Sequence, residues 1–330
     1  MLEPITAILG QANLGQWLTE DSLVRNVGFS ALFVLLTVLI ISAGVEQGIE
    51  KWSVRLMPSL FILMSVLIIY VLTQEGAVEG LKHYLIPDFS QITNPDLIVS
   101  AMGQAFFSMS LGVGTMLVYG SYIRADENLP TVGALVTLTD MSVAFLAGLL
   151  VLPAIFVAQN LGVTIYAESG SLIAEADLIF QVLPALFKGM GVAGLFVGFA
   201  FFVLMSIAAV TSSISMLEVP VSYAVEAHNI DRNKATWLVG LILFAISATI
   251  CLNFEALFGF VITLTTQWAQ PALGIMLCIF AGWVFYRNSI LEELKSGNPD
   301  VESGIFWKIW PVYVKFICPV LIVVIFVHGF

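Results

Sequence analysis

Charge is scarce in this 330-residue sequence: Lys, Arg, Asp and Glu together make up 11% of it, against roughly a quarter of an ordinary soluble domain. With 59% hydrophobic residues the chain cannot cover a water-facing surface, and the bilayer is its solvent. Basic residues are the scarcer sign. A net charge of -11 leaves no basic stripe to neutralise phosphates, which excludes nucleic-acid binding. Cysteine is also rare. Cys251, Cys278 and Cys318 are an odd set without CxxC spacing, in or at the ends of apolar runs, so neither a disulfide framework nor a metal motif is indicated and they read as small packing residues. His83, His228 and His328 fall in loops or at the terminus, and HExxH and paired intramembrane aspartates are lacking, which sets aside an intramembrane enzyme. No basic stretch precedes an apolar core at Met1-Leu2-Glu3-Pro4, so no cleavable leader is readable.

What the sequence has in abundance is long apolar runs. Eight are long enough to cross a bilayer: 28–46, 54–74, 96–123, 131–158, 192–225, 235–252, 256–286 and 307–328. The run at 192–225 exceeds a span and is expected to project beyond one face. Loops after the odd-numbered spans hold Lys51, Arg55, Arg124, Arg232, Lys234, Arg287, Lys295 and Lys308, while the opposite side holds Arg25, Lys82 and Lys188. The basic excess places the first set in the cytoplasm and both termini outside the cell. Lys315, near the cytoplasmic start of the last span, reads as a snorkelling amine. An outside start without a leader suggests that spans upstream of Met1 are missing. The connection 75–95 reads as an extracellular loop, 159–191 as a capping hairpin of two short helices, and 287–306 as a cytoplasmic loop.

Three spans carry polar chemistry. In the third, Gly112 and Gly114 directly follow Ser108 and Ser110 near mid-span, a pattern that favours an unwound stretch over close helix packing. Unwinding exposes carbonyls and amides at membrane depth, where they bind ions or polar substrates. In the fifth, Ala208, Thr211 and Ser212 put a carbonyl and two hydroxyls on one helix face. Such oxygens suit a hard cation, although hydroxyls that bond back to the preceding turn are the simpler alternative. In the fourth, Asp140 lies about mid-depth, where an ionised acid costs about 2.5 to 3.5 kcal/mol unless partnered. Spans three to five offer it no Lys, Arg or His, so a bound cation is the economical partner. Glu218, beside Pro220, reads as an interface or gating residue.

At these residues the chain resembles the neurotransmitter:sodium symporter family. The matching stretches are Gly48 to Lys51 with Met57-Pro58, Gly103 to Tyr122, Asp140 to Gly148, Pro153 to Phe156, and Thr211 to Pro220. The resemblance implies an all-α integral membrane protein of the LeuT type, built of inverted repeats with broken helices at the midplane. It implies that residues 1–27 are extracellular, 28–74 close the first repeat as family helices four and five, 96–286 form the second as helices six to ten, and 307–330 are helix eleven. Function follows as sodium-coupled symport of an amino acid or related amine across the plasma membrane. One sodium site would use Ser108 and Asp140, and a second Ala208, Thr211 and Ser212. Phe107, Ser110, Gly112, Val113, Ser212 and Met216 would line the substrate pocket.

Some positions depart from the family pattern. Many relatives have Asn at Asp140, and those that need chloride have Ser where Ala144 stands, so Asp140 is expected to supply the charge that chloride supplies elsewhere. Val113 replaces a bulky aromatic, which implies room for a larger substrate. Between Phe258 and Gln270 only neutral groups, among them Thr263, Thr265, Thr266 and Gln267, stand where many relatives place a gating acid. The family register leaves out its first three helices, without which both sodium sites are incomplete and the chain alone is not expected to transport. A truncated, non-transporting paralogue that acts as a membrane partner or regulatory subunit is the alternative.

Overall fold

The computed structural model describes residues 22–87, 89–160, 162, 187 and 191–328. The described residues form helices and turns without a strand. In chain order the helices are α1 (Leu23–Ser42), α2 (Lys51–Leu72), α3 (Ala77–Leu85), α4 (Pro95–Ser108), α5 (Thr115–Ser121), α6 (Leu129–Asn160), α7 (Val192–His228), α8 (Arg232–Leu252), α9 (Phe254–Ile262), α10 (Gln270–Ile279), α11 (Arg287–Gly297), α12 (Ile305–Val312) and α13 (Cys318–His328). π-helical turns lie at Val45–Glu50, where they open the α2 rod, at Thr263–Ala269 between α9 and α10, at Phe280–Val284, where they close the α10 rod before the extended Phe285, and at Tyr313–Ile317 between α12 and α13.

Seven of the resulting continuous helices are long and apolar enough to cross a membrane. The remaining run, the third at 96–123, is instead divided into α4 and α5 by residues 109–114. The first span begins and ends earlier than hydropathy suggests. It stops at Ser42 because Gly44 turns the chain at φ 92°, a conformation open to glycine but strained for other residues. Most of the hairpin expected over 159–191, and residues 1–21, lie outside the described residues.

Two compact units can be distinguished, one of residues 1–87 and 142–214, the other of residues 88–141 and 215–330. In the first, Leu60, Met64, Leu67, Ile68 and Val71 recur at helical spacing along α2 and bury one stripe. They pack with Leu150, Ala154, Ile155 and Ala158 of α6 and Val197, Phe201 and Leu204 of α7. Each fully buried aliphatic side chain contributes about 1.5 to 3 kcal/mol only where water is the alternative; in lipid, van der Waals packing and interhelical hydrogen bonds hold helices together. One such bond joins Thr37 of α1 to Ser213 of α7, hydroxyl to hydroxyl at 2.8 Å. The helix α3, within the connection 75–95, is tied to α6 by the Tyr84 hydroxyl, which donates to the Phe145 carbonyl at 3.2 Å.

The second unit is laid out around the broken span. Asn94 caps α4, its side chain accepting from the Asp96 amide at 3.1 Å with Pro95 at the first helical position. Asp231 starts α8 in the same way, accepting from the Lys234 amide at 3.2 Å. A smaller cluster of Leu294, Val301 and Trp307 seats α11 against the start of α12. Leu241, Phe260, Met276, Val320 and many other large apolar side chains remain exposed, as a lipid-facing surface requires.

Candidate functional site

The break between α4 and α5 is a change in backbone course with identifiable causes. The Ser110 amide turns back to the Phe107 carbonyl at 2.9 Å, and the Val113 amide to Ser110 at 3.3 Å, so the helical ladder is interrupted between Met109 and Gly114. Ser110 has a φ of 53° and Gly114 one of 85°. For the serine this left-handed conformation costs roughly 1 to 2 kcal/mol, strain of the kind that clusters at functional positions. Gly112 is buried against the first residue of α10: a Cβ there would lie 2.6 Å from the carbonyl carbon of Gln270. Only glycine lets the two backbones approach so closely.

Just before the break, the Ser108 hydroxyl donates to Asp140 of α6, 2.8 Å from Oδ1 and 2.9 Å from Oδ2. Both side chains are half-buried. The serine keeps two lone pairs and the carboxylate most of its own, so the pair is an all-oxygen set of the kind a hard cation prefers. The sequence-based sodium pair Ser108 and Asp140 is therefore brought together. Phe107, Ser110, Gly112 and Val113 follow on the unwound stretch, and Phe107 and Met216 are each about half exposed, at 51% and 53%. Phe107 also lines a cavity of about 270 Å³ with Gln104, Gln267 and Gln270. The hydroxyls of Thr265 and Thr266 in the adjoining π turn donate to the Val261 and Ile262 carbonyls, both at 2.7 Å.

The second expected oxygen cluster, Ala208, Thr211 and Ser212, belongs to the first unit. The Thr211 hydroxyl donates back to the carbonyls of Ile207 at 3.1 Å and Ala208 at 3.0 Å. For Thr211 the back-bonding alternative is thus realised. A hydroxyl that donates its proton keeps lone pairs for a cation, so the two readings are compatible. Thr211 is buried, at 7% exposure, and Ser212 is exposed.

A polar cluster that the sequence suggests only through Glu218 lies further along α7. Glu218 is fully buried, at 0% exposure, and accepts from Tyr122 at 2.5 Å through Oε1 and from Arg232 at 2.7 Å through Oε2. The neighbouring Tyr119 donates to Ser215 at 2.9 Å. Both tyrosines stand at the end of α5, so the segment after the break is pinned to α7 at two points. The sequence counts Arg232 only as a topology marker, and no local pattern links Tyr122 to Glu218 across 96 positions. Lys315 likewise has a specific partner: its amine lies 4.0 Å from the centre of the Trp283 ring, a cation–π contact.

Comparison with known proteins follows the same geometry. A family model described as the sodium:neurotransmitter symporter family matches residues 23–330. An uncharacterized sodium-dependent transporter of Bacillus subtilis is 31% identical over 318 residues, covering 92% of this chain and 67% of the relative. A second, from Haemophilus influenzae, is 33% identical over 311 residues, covering 91% of this chain and 65% of its own length. The crystal structure of MhsT in complex with L-phenylalanine superposes with a TM-score of 0.76 at 33% identity, over 92% of this chain and 68% of MhsT. The chain thus spans about two thirds of the length of these relatives.

Proposed function

The chain belongs to the sodium:neurotransmitter symporter family, and from that premise we propose that it works in sodium-coupled symport of an amino acid or related amine. The observation that carries the reading is the Ser108–Asp140 pair at the edge of an unwound mid-span segment. A membrane carboxylate without a cation is costly, and a broken helix beside it offers backbone groups to a polar substrate. Sodium entering down its gradient is held by the Asp140 carboxylate and the Ser108 hydroxyl. A second ion is held by the Ala208 carbonyl with the hydroxyls of Thr211 and Ser212. The substrate amine meets the backbone near Ser110 to Gly112, and Phe107, Val113 and Met216 enclose its side chain. Because the Ser108–Asp140 ion position and the substrate position share one backbone break, filling one orders the other, which is the basis of coupling.

The same reading places the protein in the plasma membrane, with the loops that carry Lys51, Arg124, Arg232 and Arg287 in the cytoplasm. Asp140 supplies the negative charge that chloride supplies elsewhere and Ala144 provides no hydroxyl, so transport runs without chloride. The L-phenylalanine bound to MhsT is consistent with an amino-acid cargo.

Sodium-dependent thermal stabilisation, screened across amino acids, tests the assignment: a bound ligand raises stability by about 2.7 kcal/mol at a hundred times its dissociation constant. One or a few amino acids should stabilise the transporter in sodium and fail to do so in potassium. Stabilisation that is indifferent to sodium, or uptake that rises on adding chloride, would contradict the assignment or the chloride claim respectively.

A further inference from the structure

The helices α10 and α13 pack antiparallel in a register that sets cysteine against cysteine. Trp268 meets Phe326 edge to face at 5.6 Å between ring centres, and Trp283, beyond the other end of α10, meets Phe316 at 5.7 Å. Between these points a Cβ on Gly274 would lie 3.4 Å from the Ile322 methyl, so steps forward along one helix match steps back along the other. Cys278, one turn after Gly274, therefore falls opposite Cys318, one turn before Ile322. The two thiols are near enough to interact. Both line an apolar cavity of about 450 Å³, which is also lined by Met102, Phe106, Met109 and Leu321.

A single buried thiol is a packing residue, but two in contact can close on one atom. Hydrocarbon surroundings select what that atom brings, because a ligand that enters or remains charged there is penalised. Two thiolates on a monovalent soft cation leave a net negative charge, and a divalent cation must enter charged. A monosubstituted trivalent arsenical avoids both costs. Its As=O bond breaks, two As–S bonds form, and the oxygen leaves as water with the two thiol protons, so no oxidation state changes and the adduct is neutral. The cavity is of ligand size, and its two methionines offer sulfur contacts to an aryl group.

We propose that Cys278 and Cys318 form a paired-thiol site for neutral, dithiol-seeking ligands of the trivalent organoarsenical class, and that occupation staples α10 to α13. The test uses the full chain, purified in detergent under reducing conditions, and phenylarsine oxide. Maleimide counting after denaturation should find three free thiols before treatment and one after it, with one arsenical per chain by intact mass. Excess 2-mercaptoethanol should leave the adduct in place and 2,3-dimercaptopropanol should remove it, the signature of two sulfur bonds. Cys251→Ser should bind as the parent does, whereas Cys278→Ser and Cys318→Ser should each weaken capture at least tenfold. Undiminished capture by either of the last two variants, or release by the monothiol, overturns the proposal. Should the serine variants fail to fold, the reversal experiment on the unmodified chain decides it alone.

Discussion

The Ser108 hydroxyl points into the fork of the Asp140 carboxylate, nearly equidistant from its two oxygens at 2.8 and 2.9 Å. A serine that shares one proton between both oxygens fixes the orientation of the acid and still leaves lone pairs on every oxygen. Asp140→Asn preserves the shape of the side chain and removes the charge. The sodium concentration that half-stabilises the transporter should rise at least tenfold, a change of about 1.4 kcal/mol in affinity. Ser108→Ala, which removes one neutral oxygen and keeps the charge of the acid, should have a smaller effect. Sodium titrations followed by thermal unfolding measure both, and equal sensitivity to sodium in Asp140→Asn would remove the acid from the ion site.

Glu218 leads to a different expectation, because its partners are protein groups. Arg232→Ala leaves a fully buried carboxylate that still accepts from the Tyr122 hydroxyl but has lost its cation, and should lower stability by on the order of 3 kcal/mol. The double change Glu218→Gln with Arg232→Gln removes both charges and should cost less than the single one. Unfolding temperatures of the two variants compare directly; a double variant less stable than the single would show that the pair, and not the isolated charge, carries the energy.

At Ser110 stability and function should part. Its φ of 53° is a conformation that glycine adopts without penalty, so Ser110→Gly should stabilise the chain by about 1 kcal/mol. The same change enlarges the pocket and loosens the backbone that meets the substrate, and substrate affinity in the full-length transporter should fall. Gly114→Ala, at φ 85° with Val219 only 3.3 Å from the added methyl, should destabilise. A Ser110→Gly variant that gained activity along with stability would argue against strain as part of the binding geometry.

Val113→Phe restores a bulky ring to the unwound segment. Affinity for amino acids with aromatic side chains should drop at least tenfold, while affinity for glycine or alanine holds or improves. Competition against a single labelled substrate reads the ratio, and an unchanged ratio would place Val113 outside the pocket.

Much of this was legible in the sequence because charge and chain breaks are conspicuous in apolar runs. Asp140 has no cationic side chain within its own group of spans, and Gly112 and Gly114 crowd two serines, so the unpartnered acid and the break both stand out along the sequence, while the pairing of Asp140 with Ser108 came from the family resemblance. The partners of Glu218 could not. Tyr122 is separated from it by most of two spans, and Arg232 lies across a turn where every basic residue looks like a topology marker. The thiol pair was hidden for a similar reason. Cys278 and Cys318 face each other only because two helices pack antiparallel in one register, and register between distant helices leaves no local pattern. Lys315 reads as a snorkelling amine by depth alone, while its ring partner Trp283 comes from another helix.

The π turns on either side of α10 have a mechanical consequence. Each holds one residue more than an α turn, and such an extra residue can travel along a helix by the exchange of one hydrogen bond at a time. The segment from Gln270 to Ile279 therefore sits between two slack points, at Thr263–Ala269 and Phe280–Val284. Were one to shift past it, the rod would turn by about 100° without fraying, the angle of one helical residue. Gln270, pressed against Gly112, would be carried round with it. Rotation of α10 would thereby shift the backbone against which the break at Gly112 is packed.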